Sequence, residues 1–98
     1  MDLAELQRII VATYGERDRA RGRDATFRWL AEEVGELARA VRTGDPRALR
    51  EEFSDVLAWT VSLAALCGID AADAAARYAR GCPKCGSLPC RCPGEPRR

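Results

Sequence analysis

Two carboxylate pairs stand at equal distances on either side of one glycine, and that symmetry constrains the chain more than any other feature. Glu33 and Glu36 precede Gly44 by eleven and eight residues, and Glu52 and Asp55 follow it by eight and eleven. Both pairs have the i, i+3 spacing that puts side chains on one helix face. In an antiparallel helical hairpin, residues equidistant from the turn are level, so Glu36 would face Glu52 and Glu33 would face Asp55. At about 3.6 residues per turn, Glu33 and Glu36 lie roughly 60° and 120° to one side of Leu30, and Glu52 and Asp55 lie at the same offsets from Leu49. Reversing one helix reverses its apparent rotation, so both pairs project to the same side once Leu30 and Leu49 turn to a shared core. Four acids gathered in this way repel one another. A hard cation with oxygen ligands, magnesium above all, relieves that repulsion, and magnesium points to phosphate chemistry. The alternative is a solvated acidic face, the usual role of acids on amphipathic helices, and Glu32 and Glu51, further from the apolar stripe, fit it most readily.

Four helices are legible around this hairpin, and no strand pattern competes with them. The first is expected from about Asp2 to Tyr14, with Gly15 as its stop and Arg17–Arg23 as a charged connector. The second runs from about Ala25 to Arg42, with Phe27, Leu30, Val34, Leu37 and Val41 at the alternating spacing of an apolar stripe. Thr43-Gly44 ends it, and Asp45-Pro46 supplies an N-cap with proline at the first helical position. The third runs to about Cys67 on Leu49, Phe53, Val56, Thr60, Leu63 and Cys67, and its second half is apolar nearly all round. Asp70 caps a fourth, about Ala71 to Arg80, which Gly81 ends. The expectation is an all-α fold: a small four-helix bundle built on the helix 2/helix 3 hairpin over residues 1–81, with a Cys-rich tail over 82–98. A chain of 98 residues buries little surface alone, and an all-round apolar helix needs several partners, so the bundle is expected to be oligomeric.

Composition narrows the chemistry. There is no histidine, which removes Ser-His-Asp triads, Cys-His pairs and His-ligated metals. Formal charge is +1, which makes no case for bulk nucleic-acid binding, although Lys84, Arg91, Arg97 and Arg98 outweigh Glu95 in the tail. Arginine outnumbers lysine fifteen to one, a bias read as genomic rather than functional. The acidic opening, Met1-Asp2-Leu3-Ala4-Glu5, does not read as a secretion signal, and Val56–Ile69 is too short to span a bilayer. A soluble cytoplasmic protein is expected.

Glu32-Glu33-x-x-Glu36 followed by Glu52-x-x-Asp55, with Phe27-Arg28-Trp29-Leu30-Ala31 before and Val56-Leu57-Ala58-Trp59 after, resembles the signature of the MazG-like, all-α nucleotide pyrophosphohydrolases. The resemblance covers about residues 3–80. It implies a helical dimer or dimer of dimers and a magnesium-dependent (or manganese-dependent) cleavage of a nucleoside triphosphate between the α and β phosphates. The products would be a monophosphate and pyrophosphate, in the removal of non-standard or surplus nucleotides. By position it implies Glu33, Glu36, Glu52 and Asp55 as metal ligands. Without histidine the base is most simply a carboxylate: Glu33, combining that task with ligation, or Glu32. Phosphate partners are sought among Arg23 and Arg28, near the start of the second helix, and Arg77 and Arg80, in a basic and aromatic stretch that loosely matches relatives. For each, a solvated surface arginine is the alternative. Trp29 and Trp59 are candidates to stack on a base, with core packing as the plainer role.

The tail reads C-x2-C-x4-C-x-C. Cys82-Pro83-Lys84-Cys85-Gly86 has the form of a metal knuckle, and Cys90 and Cys92 complete a candidate tetrahedral four-cysteine zinc site. The alternatives are a redox dithiol, disulfides formed on purification, or a disordered tail. Cys67 is expected as a small core residue. The competing reading of the whole is a non-catalytic helical dimer with a zinc tail, acting as an interaction or regulatory module.

Overall fold

The computed structural model describes residues 1–94, so Glu95, Arg97 and Arg98 of the basic tail lie outside it. The chain is all-α: α1 (Leu3–Arg21), α2 (Arg23–Thr43), α3 (Pro46–Leu66) and the short α4 (Ala71–Ala75), continued by a 3-10 turn over Ala76–Tyr78. No strand occurs among the described residues. The hairpin of α2 and α3 is the most extensive packing in the fold, with α1 laid mainly along α3.

Local chemistry sets most boundaries. Asp2 and Glu5 form a reciprocal capping box, the Glu5 amide donating to Asp2 Oδ1 at 2.8 Å. At the hairpin, Gly44 takes the left-handed conformation, its N–H donates to Ala40 O, and Asp45 accepts from the Arg47 amide. Asp70 caps α4 through the amides of Ala72 and Asp73. The expected run to Arg80 is not sustained: bonding tightens to i+3 at Ala79 and Gly81, as short helices do at their ends.

The first helix departs from expectation. It passes through Gly15, which is buried, and continues to Arg21, so the expected connector is helical. An interior glycine costs a helix only about 1 kcal/mol, and termination needs a backbone that leaves the helical region. Gly22 does this, at φ 87° and ψ 171°, a region in which essentially only glycine is comfortable. One residue thus ends α1 and begins α2. Arg21 fastens the junction: its guanidinium bonds buried Asp18 at 2.9 Å and fully buried Thr26 Oγ1 at 3.2 Å, and lies 4.9 Å from the Trp59 ring centre. At the other end, Gln7 donates to Val61 O and Ile69 O and accepts from the Ala71 amide, tying α1 to α3 and to the start of α4.

The apolar stripe of α2 is also divided. Phe27, Val34 and Val41 are 57%, 49% and 59% exposed. The face turned inward runs Thr26, Leu30, Glu33, Leu37, Ala40, and its counterpart on α3 runs Leu49, Glu52, Val56, Trp59, Leu63. Each of these rows carries one acid at helical spacing, and Glu36, beside the α2 row, is half-buried as well. Phe53 and Leu57 are exposed like Phe27. Cys67, expected in the core, is exposed, because α3 ends one residue before it.

Candidate active site

The inward rotation of α2 and α3 brings acids together. One carboxylate oxygen each from Glu33, Glu52 and Asp55 lie within 4.8 Å of one another. Glu33 and Glu52 are half-buried and Asp55 is exposed. Burial first, then the charges of Asp55 and Glu52, a hydrogen bond with Asp55, and Glu36 hold the Glu33 pKa above its ordinary 4.5. Glu52 is raised likewise by burial, Asp55, Glu36 and Glu51, with Arg39 opposing. Glu52 Oε2 is shielded from solvent and accepts no hydrogen bond, an orphaned acceptor that costs free energy until something positive reaches it. An all-oxygen set with such an atom fits a hard divalent cation.

The sequence residues fall in different places around this cluster. Glu36 is outside the closely spaced three and has Arg39 at 3.8 Å. Glu32 shares an open recess of about 310 Å³ with Ala25, Arg28 and Trp29. Arg23 is the first residue of α2. Arg77 stacks on the neighbouring Tyr78 ring, 5.5 Å from its centre, and Arg80 is exposed in the turn beyond. Trp29 and Trp59 stack on each other, with centroids 6.1 Å apart and planes 16° from parallel.

A second hollow opens beside Asp55. It has a volume of about 300 Å³ and is lined by Tyr14, Arg17, Asp18, Arg21, Asp55, Ala58, Trp59 and Ser62. Sequence reasoning misses its α1 residues because Gly15 reads as a stop. A signal is present all the same: Asp18-x-x-Arg21 is an i, i+3 opposite-charge pair, and it makes sense only if the helix continues past Gly15.

The cysteines gather independently. The four sulfurs of Cys82, Cys85, Cys90 and Cys92 lie within 4.8 Å of one another, and all are free thiols. Backbone N–H groups of Arg91 and Ser87 lower the Cys85 pKa to about 6, whereas hydrogen bonding with Cys90, Cys82 and Cys85 raises that of Cys92 to about 12.

An all-α hairpin with acids clustered at its centre offers a set of oxygens that could hold a metal ion. The chain belongs to the MazG nucleotide pyrophosphohydrolase domain family, whose model matches residues 21–84. That span takes in α2, α3, α4 and the first cysteine of the tail, and leaves nearly all of α1 outside. No curated protein matches the chain.

Proposed function

We propose that this protein hydrolyses nucleoside or deoxynucleoside triphosphates to the monophosphate and pyrophosphate in a magnesium-dependent reaction. The observation that carries the reading is the convergence of Glu33, Glu52 and Asp55 within a domain of this family. These three would hold the cation, with Glu36 at the rim completing the set; manganese would serve the same oxygens. When bound, the cation would neutralise phosphate charge and make an attacking water more acidic.

The chain's own groups account for the rest. Water attacks the α-phosphorus, the bond from that phosphorus to the bridging oxygen breaks, and pyrophosphate leaves with the electron pair. Glu33 takes the water's proton: it is half-buried, and its raised pKa brings a carboxylate nearer the range where a base is effective. Glu32, in the neighbouring recess, is the alternative base. Arg28 in that recess, and Arg17 and Arg21 in the hollow beside Asp55, supply positive charge for phosphate oxygens. Arg23, Arg77 and Arg80 line neither hollow, and would contribute only after movement or across a subunit boundary. Trp59, held by Arg21, gives the hollow an aromatic wall.

The test is a panel of nucleoside and deoxynucleoside triphosphates incubated with magnesium in 18O-labelled water. Monophosphate carrying the label, with unlabelled pyrophosphate, is expected. Label in the pyrophosphate would place attack at the β-phosphorus and overturn the mechanism. No turnover of any nucleotide by well-folded protein would favour a non-catalytic helical module.

A further inference from the structure

We propose that Cys82, Cys85, Cys90 and Cys92 bind one zinc ion in a closed tetrathiolate site that folds the segment after the last helical turn. This site is separate from the acidic cluster and has no part in the hydrolysis proposed above.

The sulfur spacing favours an ion over disulfides. Cys82 Sγ and Cys92 Sγ are 3.7 Å apart, and Cys85 Sγ and Cys90 Sγ are 4.0 Å apart. A disulfide needs about 2.05 Å. Four sulfurs at about 2.3 Å from a central zinc form a tetrahedron with edges of about 3.8 Å. The two contacts share no atom, so they are opposite edges of such a tetrahedron, and their lengths bracket that value. Each contact also joins one cysteine of the first pair to one of the second. The metal would therefore cross-link the two halves of the motif rather than sit in the first alone.

The backbone is arranged to serve the sulfurs. The Arg91 amide donates to Cys85 Sγ at 3.3 Å and the Cys92 amide to Cys90 Sγ at 3.4 Å, which is how thiolate charge is steadied around a metal. Around the first pair the chain closes a tight loop, Cys82 N–H donating to Ser87 O and Gly86 N–H to Cys82 O, at 2.9 and 2.7 Å. Gly81 allows that closure. A Cβ there would stand 2.6 Å from Ser87 O, and φ is +100°, so only glycine fits.

An internal scaffold would otherwise be hard to find. Between residues 82 and 94 there is no helix, no strand and no fully buried residue. Such a loop lacks the apolar burial that offsets chain entropy, and a bound metal replaces it. Four protein donors leave no open coordination position, which marks a structural rather than a catalytic zinc. The donor types also sort the metals: thiolates select zinc, while the carboxylates of Glu33, Glu52 and Asp55 suit magnesium.

The full chain, purified under reductant without chelator, is analysed for metal by mass spectrometry and for thiols by alkylation. About one zinc per chain is expected, with Cys82, Cys85, Cys90 and Cys92 protected until an organic mercurial releases the metal. Cobalt substitution should give the intense visible bands of tetrahedral cobalt thiolate. Cys85→Ser and Cys90→Ser should each lose the zinc, Cys67→Ala should keep it, and far-UV circular dichroism should stay helical in all three. Reduced, helical protein without zinc and with all four thiols alkylated would overturn the proposal. So would disulfides between these cysteines in freshly prepared protein, or iron in place of zinc. None of these readouts depends on nucleotide turnover.

Discussion

Glu33 and Glu52 occupy positions where the helix pattern places apolar side chains, and that is why both hold protons more tightly than an ordinary carboxyl. Each is raised above 4.5 in the folded chain, so protons favour folding. That contribution is complete below about pH 4.5 and is lost as pH rises through the folded values. A cation at the same oxygens offsets the loss. Magnesium should therefore raise the melting temperature more at neutral pH than at about pH 5, a comparison that differential scanning fluorimetry at two pH values makes directly; an equal shift at both would contradict it. Glu33→Gln keeps the shape and removes the proton acceptor, and should lower kcat by about 10²–10⁴, measured by pyrophosphate release. The four acids are legible in the sequence from their symmetry about Gly44. What is not legible is that Glu33 and Glu52 stand in the inward rows of their helices. An apolar stripe assigned wholly to one core leaves the acids at its flank, and only packing reveals that the stripe serves two surfaces.

At the scale of elements, the turn at Gly44-Asp45-Pro46 is readable because cap, proline and glycine agree. The end of α1 is not, because a glycine in sequence does not say whether its backbone is helical. Gly15 is helical and Gly22 is not. Substitution separates them. Gly22→Ala should cost about 1–3 kcal/mol, the strain of that backbone region. Gly15→Ala should be neutral or stabilising by up to about 1 kcal/mol, since its new methyl meets chiefly the movable end of Arg19, at 3.2 Å. Urea denaturation of both variants checks the contrast. If Gly15→Ala were the more damaging, α1 would be wrongly bounded. The same misplacement hides Arg17 and Arg21, whose roles at the hollow depend on the helix running through to Gly22.

For the whole molecule, the radius of gyration is 15.6 Å, against about 13 Å for a compact domain of 100 residues. Phe27, Val34, Val41, Phe53 and Leu57 stand substantially exposed on the two longest helices. A surface of that kind belongs to an association site more often than to a free monomer, and we expect a homodimer or homotetramer in solution. Sedimentation at micromolar concentration should give at least twice the chain mass, and Phe53→Asp should shift the mass toward one chain; a monomeric parent would refute this. No single helix among those described is long and apolar enough to cross a bilayer.

The Gln7 amide has a kinetic consequence. Its three bonds reach partners 54 to 64 residues away along the chain, whereas the α2/α3 hairpin is made of contacts on either side of a two-residue turn. Loop closure favours the short separation first. The hairpin is then the nucleus, and seating of α1 by Gln7 comes late, after the chain between them has condensed. Gln7→Ala should speed unfolding and leave the refolding rate nearly unchanged in stopped-flow measurements, a φ-value near zero. The acidic cluster, assembled wholly from the hairpin, would thus exist in outline before the wall of the neighbouring hollow arrives, so the cation is free to act as a template for folding as well as a participant in chemistry.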